Sequence, residues 1–338
     1  MPTGVNFEES LGLDKNIKIF INYFLGPAFL LWLSWDVYQQ LAATQDLSLQ
    51  WQVLKVTIYE EGISPLLFIL VLMFLQWFLE SVKWKTLLKD IVSIHWINAF
   101  SSILSGITVS VVTPNRLGEF AGRVIHLPNG TRLEGTAFTF IGNLAQLIIT
   151  CLIGSICLYF GYDQLKGQLH ADESIYSIDL LLLLAPIATI ALLILYFSSS
   201  WIMQKLGHWK LLRAFSAHLM VLSQTPASRL GWVLILSCIR YAIFILQYLI
   251  VFRFTGLSSD LLVLVTNVSV MLLWLSIVPT FSFMEMGVRW KFALLLFPTI
   301  GTPPLAIPIA VTIIWLVNFI IPAFLGAFVF LKSRKYKK

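Results

Sequence analysis

Ser110-Val-Val-Thr-Pro-Asn-Arg-Leu-Gly-Glu-Phe-Ala-Gly-Arg123 and Ser276-Ile-Val-Pro-Thr-Phe-Ser-Phe-Met-Glu-Met-Gly-Val-Arg289 align without a gap. In each, an apolar run reaches a proline, turns through small or polar residues and restarts with Glu-x-x-x-Arg. Ionised side chains are costly at membrane depth, so a duplicated acid–base pair there marks a functional site. The duplication itself reads as an internal repeat of the kind that builds a transport site.

Composition sets the medium. The chain is 58% hydrophobic and only 12% charged, where a soluble domain carries roughly 25% charged residues. Mean hydropathy is +0.84. Runs long enough to cross a hydrocarbon layer of about 30 Å recur throughout. Six segments read as full spans, about 17–38, 63–80, 136–160, 178–197, 230–254 and 305–331. The first follows Lys15 and Lys18 and lacks a small-residue cleavage site, so it is expected to remain as an anchor.

The repeat regions, about 91–130 and 261–300, behave differently. Each begins with a long apolar leg and returns by a short one, Leu117 to Leu127 and Met286 to Phe297. A dozen helical residues reach only ~18 Å, too little to span. Both regions therefore read as re-entrant helical hairpins with their irregular turns buried in protein or lining a wet cavity. The expected fold is a single all-α polytopic membrane domain, 1–338, with six spans and two hairpins.

Loop charge orients it. With both hairpins returning to the side they entered, the basic tail Lys332-Ser-Arg-Lys-Tyr-Lys-Lys338 shares a side with Lys83, Lys85 and Lys89. The amphipathic segment 198–229 falls there too, which makes that side cytoplasmic, with both termini on it. Asp163, Asp172, Glu173, Glu60 and Glu61 fall opposite. The hairpins then enter from opposite faces, an inverted repeat with tips meeting near the midplane. The cytoplasmic membrane of a bacterium is the expected location.

Seven charges fall within this expected core: Arg116, Arg123, Arg240, Arg289 and Lys291 against Glu119 and Glu285. Glu119/Arg123 and Glu285/Arg289 are four apart and share a helix face. One reading is self-neutralising ion pairs; the other is use, since two apolar residues would be cheaper to bury. Ser282 with Glu285 fits a capping box, and Asn115 stands where it can cap the first returning helix. Gly118 and Gly122 allow close backbone approach. Arg240 sits mid-span with Gln247 on its face two turns on, and it needs a partner, for which Glu119 and Glu285 are the candidates. Asn143 and Gln146 either hydrogen-bond a ligand or glue helices together. The cationic surplus of three, one if Arg116 and Lys291 snorkel outward, asks for an anion. A phosphate-bearing lipid headgroup is the anion most available there.

Glu80, Lys83 and Lys85 follow Trp77 where a span was expected to end, and read as ordinary interfacial anchors. No histidine pair has metal-ligand spacing, so no metal or other cofactor is expected. Cys151, Cys157 and Cys238 read as packing residues. A net charge of +6 concentrated in loops and tail gives no case for nucleic acid.

At Thr113-Pro-Asn-Arg-Leu-Gly-Glu-Phe-Ala-Gly-Arg123 and Pro279-Thr-Phe-Ser-Phe-Met-Glu-Met-Gly-Val-Arg289 the chain resembles the lysylphosphatidylglycerol synthase transmembrane-region family, also called flippase-like integral membrane proteins. The family's Thr-Pro-x-x-x-Gly-Glu motif with a following arginine, and its later Pro-…-Glu-x-Gly-x-Arg motif, are both present. The resemblance covers about Leu66 to Phe330 and makes Glu119, Arg123, Glu285 and Arg289 the motif residues. It implies movement of aminoacylated phospholipids or other anionic lipid-linked molecules between leaflets. No polar stretch here accommodates the soluble aminoacyl-transferase domain of fused members, so the resemblance implies transport rather than lysyl-phosphatidylglycerol synthesis.

Three readings follow. In a lipid translocase, arginines bind the anionic headgroup in a polar furrow and glutamates reset the empty site. An intramembrane lipid-modifying enzyme is the second; a prenyl-protease likeness is disfavoured because Gly118 and Met284 stand where that motif's first glutamate belongs. The third is a non-transporting subunit of an envelope lipid-synthesis complex. Substrate, direction, energy coupling and oligomeric state are not legible in the sequence.

Overall fold

A computed structural model describes residues 47–111, 113, 116–168, 172–198, 225–257, 259–278, 282–297 and 304–335, together with 35, 38 and 39. The expected first span, Asn115, residues 199–224 and the last three residues lie outside these. Described residues form helices and connecting turns, with no strand among them. In chain order the helices are α1 (Leu47–Glu61), α2 (Ser64–Leu88), α3 (Trp96–Val111), α4 (Gly118–Val124), α5 (Arg132–Phe160), α6 (Tyr162–Gln168), α7 (Asp172–Phe197), α8 (Ala227–Phe254), α9 (Leu261–Ile277), α10 (Ser282–Leu296), α11 (Ala306–Trp315) and α12 (Ile321–Lys335). A five-residue π-helical segment, Leu316–Ile320, joins α11 to α12.

Five stretches are long and apolar enough to cross a membrane: Ser64–Leu88, Arg132–Phe160, Ile178–Phe197, Ala227–Phe254 and Ala306–Val329. They coincide with the last five expected spans. The protein is an integral membrane protein. Local sequence sets the boundaries. Pro65 opens α2 in its first turn, where a missing N–H costs nothing. Gly161 and Gly256 follow α5 and α8, and Gly256 takes φ 82°, a conformation that side chains resist. Asp260 caps α9 by accepting from the Leu262 N–H at 3.3 Å. Pro322 brings no N–H to the Asn318 carbonyl, which accounts for the π-helical segment just before it.

Between the long helices sit two short-legged hairpins, α3–α4 and α9–α10. The first packs its legs through glycine. A Cβ on Gly122 would stand 2.4 Å from the Ser105 carbonyl oxygen, and one on Gly118 would stand 2.4 Å from that of Val109. The return helix α4 is seven residues long, shorter than expected, whereas α10 is longer and starts at Ser282.

Both ends of the first hairpin lie beside the same ends of the long helices. Lys85 of α2 stands 4.2 Å over the Trp96 ring, and Leu127 packs on Gly135 at the start of α5. Nearby Arg229 bridges to Asp90, with one bond at 3.1 Å, and holds that carboxyl below its ordinary pKa. The second hairpin is tied to the opposite ends. Asn267 near the start of α9 donates to the Leu296 carbonyl at 2.6 Å, and Gln164 of α6 donates to Asn267 at 3.3 Å. Phe297 stacks on Phe252, at the far end of α8, at 4.5 Å.

Each hairpin has its own apolar core. Leu87, Ile103, Ile107, Phe138 and Ile148 surround the first, and Tyr248, Met271, Leu273, Ala293 and Val311 surround the second. Trp77 borders both.

Candidate functional site

Polar residues concentrate where the two cores meet. The helical stripe Gln76, Glu80, Lys83 and Leu87 is buried along α2, so this helix carries charge well inside the fold. Glu80 is the hub, only 1% exposed. Its carboxylate binds Lys83 of its own helix at 2.8 Å, Arg123 of α4 at 2.8 Å, and Arg240 of α8. Arg123 also donates to Glu119. Lys83 donates onward to the Gly142 carbonyl at 3.1 Å. Gly106 on α3 supplies the room for the Glu119–Arg123 pair, since a Cβ there would lie 2.8 Å from Arg123 Cγ.

This corrects two expectations. Glu80 and Lys83 are not interfacial anchors: α2 runs eight residues past the point where its first charge suggested an end. The partner of Arg240 is Glu80, neither Glu119 nor Glu285. A buried carboxylate among three cations satisfies the rule that charges leave water only when paired. Trp77, expected at an interface, and Trp84 instead back these arginines: Arg240 lies 5.6 Å from the Trp77 ring and Arg123 lies 5.8 Å from that of Trp84.

A second cluster joins the hairpins to each other. Arg116, in the turn of the first, donates Nη2 to both oxygens of Glu285 at 2.7 and 2.8 Å. Glu285, in the first turn of α10, also accepts from Nε and Nη2 of Arg289 at 3.1 and 2.6 Å. Arg289 completes its set by donating Nη1 to the Tyr248 hydroxyl at 3.1 Å. Arg116 takes φ 56°, a left-handed conformation strained for a residue with a side chain. Its guanidinium stacks 4.6 Å over Phe319, in the π-helical segment.

The capping expectations resolve differently. The Gly118 N–H donates to the Thr113 hydroxyl at 2.7 Å, so threonine serves the start of α4; Asn115 and the Ser282 side chain lie outside the described residues. Gln247 is fully buried, accepting from Gln76 at 3.1 Å and donating to the Ile69 carbonyl at 3.3 Å, and so glues α2 to α8. Gln146 accepts from Arg240 at 3.2 Å. Asn143, a turn earlier, is half-buried and does not line the space described next.

That space is a cavity of about 470 Å³ between the two clusters. Arg116, Arg240, Arg289 and Glu285 line it, with Gln76, Gln146 and Thr150 as further polar groups and Trp77, Tyr241, Phe244 and Leu272 as apolar wall. Ile277 lines it as well and is largely exposed, so the cavity is open at the rim of the fold. Of the nine residues expected at a site, five bear directly on it: Arg116, Gln146, Arg240, Glu285 and Arg289. Glu119 and Arg123 hold the hub behind it, and Asn143 and Gln247 do neither.

The cationic surplus also changes. Glu80 and Lys83 cancel each other, and without Lys291 each cluster holds one more cation than carboxylate, a surplus of two where three was expected. Lys291 is half-buried and engaged, and it is not among the residues that line the cavity. Glu80 was missed because charge after an apolar run usually ends a span. The signal that could have found it was its register with Gln76, Lys83 and Trp84 on one face.

A family model described as lysylphosphatidylglycerol synthase TM region matches residues 18–326. No curated protein and no solved structure matches the chain.

Proposed function

The chain belongs to the lysylphosphatidylglycerol synthase TM-region family, and from that premise we propose that it is a lipid translocase. It carries an anionic phospholipid or lipid-linked headgroup between leaflets, in the manner of a flippase or scramblase. The single observation that carries this reading is the arginine-lined cavity at the junction of the two hairpins. A concave site with a few convergent charged groups in an apolar wall is a ligand site by its anatomy. Inside a membrane protein, the nearest anion is a lipid phosphate.

The mechanism follows from the bonds. Glu285 holds Nε and Nη2 of Arg289 and one nitrogen of Arg116. An arriving phosphate competes for Arg116 and meets Arg240 on the opposite wall, while acyl chains stay in lipid beside the exposed Ile277. On departure the carboxylate recovers its partners, which lets the site release what it binds. The Glu80 cluster stays fixed throughout, because all its members but Arg240 are closed off from the cavity.

The hairpins are re-entrant in this reading and form an inverted repeat. In support, the two ends of the first lie by the end of α2 and the start of α5, whereas Thr266 of the second packs on Gly161, just past the finish of α5, and Asn267 beside it holds the far end at Leu296. The Arg116–Glu285 bridge joins the turn of one to the first turn of the returning helix of the other. We place the protein in a bacterial cytoplasmic membrane with both termini cytoplasmic. It works as a transporter, not an enzyme, with the lipid as its partner.

Reconstituted liposomes test it. Tail-labelled phosphatidylglycerol should exchange between leaflets at least about tenfold faster with wild type than in protein-free vesicles, and Arg116→Gln should remove most of that gain, as expected where one of a few charge-assisted contacts is lost. Equal exchange by wild type, the variant and empty vesicles would exclude transport.

A further inference from the structure

We propose that the cavity prefers a doubly charged phosphate group, a phosphomonoester or diphosphate, over a singly charged phosphodiester. The inference rests on the headgroup reading above and sharpens it to a substrate class.

Two ledgers lead there. The first is charge. Glu80 and Glu119 face Lys83, Arg123 and Arg240, which leaves one cation uncompensated. Glu285 faces Arg116 and Arg289 and leaves another. Glu285 is the one acid among the described residues that line the cavity. Among the described residues the remaining ionisable groups here are the hydroxyl of Tyr241, in the wall, and that of Tyr248, behind Arg289, which are neutral at pH 7. A monoanion would leave one of the two surplus cations uncompensated in a partly dry site; a dianion matches both.

The second ledger is donors. Arg289 has all three of its nitrogens engaged, on Glu285 and Tyr248. Arg116 uses Nη2 alone, so Nε and Nη1 have no hydrogen-bond partner among the described residues. Arg240 uses Nη1 alone, on Glu80 and Gln146, and its Nε is buried with no partner among them. The unspent donors therefore sit on two guanidiniums, one from each cluster, lining the same cavity. A phosphodiester offers two anionic oxygens that share one charge. A phosphomonoester offers three, with about −1.5 to −2 at pH 7, enough for each guanidinium to receive its own charge-assisted bond.

Purified full-length protein in phosphatidylcholine nanodiscs decides the matter. Tail-labelled phosphatidic acid and phosphatidylglycerol are titrated separately, and quenching of protein fluorescence gives each affinity. At pH 8 phosphatidic acid should bind about tenfold tighter, the value of one further charge-assisted hydrogen bond. The gap should narrow towards pH 6, where a monoester takes up its second proton at a pKa of about 6. Arg116→Gln should make the two lipids equal without moving the unfolding temperature, because it leaves a neutral Glu285–Arg289 pair. Arg240→Gln is the second arm and should have the same effect from the other wall. Equal wild-type affinities, both above phosphatidylcholine, would overturn the dianion preference while leaving the headgroup site standing. No preference for either over phosphatidylcholine would remove the site itself. Displacement of phosphatidic acid by dissolved glycerol 3-phosphate would reassign the cavity to soluble phosphates and overturn the lipid assignment.

Discussion

At the residue scale, Glu80 and Glu285 are both buried carboxylates held by arginines, and their surroundings give them different work. Glu80 is 1% exposed, and its three cations come from α2, α4 and α8. Removing its charge strands those cations, so Glu80→Gln should destabilise the fold by about 3–5 kcal/mol. Thermal unfolding in detergent measures this, and a variant as stable as wild type would show the hub to be dispensable. Glu285 shares its charge with Arg116, whose side chain is 43% exposed and able to find water instead. Glu285→Gln should therefore cost less stability than Glu80→Gln in the same assay. The motif glutamates and arginines were legible in the sequence because they repeat. Glu80 was not, because nothing duplicates it and its partners lie up to 160 residues away.

At the element scale, the first hairpin depends on backbone approach rather than on side-chain burial. Gly122 and Gly118 admit α4 against α3 at distances no Cβ tolerates. Gly122→Ala should destabilise by about 1–3 kcal/mol through overpacking. Gly231→Ala, with nothing within 4 Å of the new methyl group, should be neutral or gain up to about 1 kcal/mol of helix propensity. Comparable losses at both positions would mean that the hairpin packing is looser than described. The last five spans and the short returning leg of the first hairpin followed from hydropathy and proline spacing alone. The π-helical segment did not, because its consequence depends on Arg116 stacking against Phe319 from another part of the chain.

At the scale of the whole molecule, two cores abut and the charged cavity opens at their junction. In the proposed topology the two hairpins face opposite leaflets. Single cysteines in a background lacking Cys151, Cys157 and Cys238 read this directly with a membrane-impermeant thiol reagent. His95→Cys and Asn129→Cys should label from one side and Ser259→Cys from the other. Labelling of His95→Cys and Asn129→Cys from opposite sides would mean that the first hairpin crosses fully, and the inverted repeat would fall. The overall architecture was readable because a membrane forces length and polarity into plain view. The cavity was not, since no local pattern specifies that Arg240, from one charged cluster, and Arg116, from the other, line one space.

The most direct measurement is an experimental structure of the protein in nanodiscs doped with a tail-brominated anionic lipid, in which bromine marks the chains and density marks the phosphate. The account predicts phosphate within hydrogen-bonding distance of Arg116 and Arg240, between the two hairpins, with brominated chains leaving past Ile277. Phosphate found only at the bilayer surface, with the cavity closed to lipid and Arg116 still on Glu285, would contradict it.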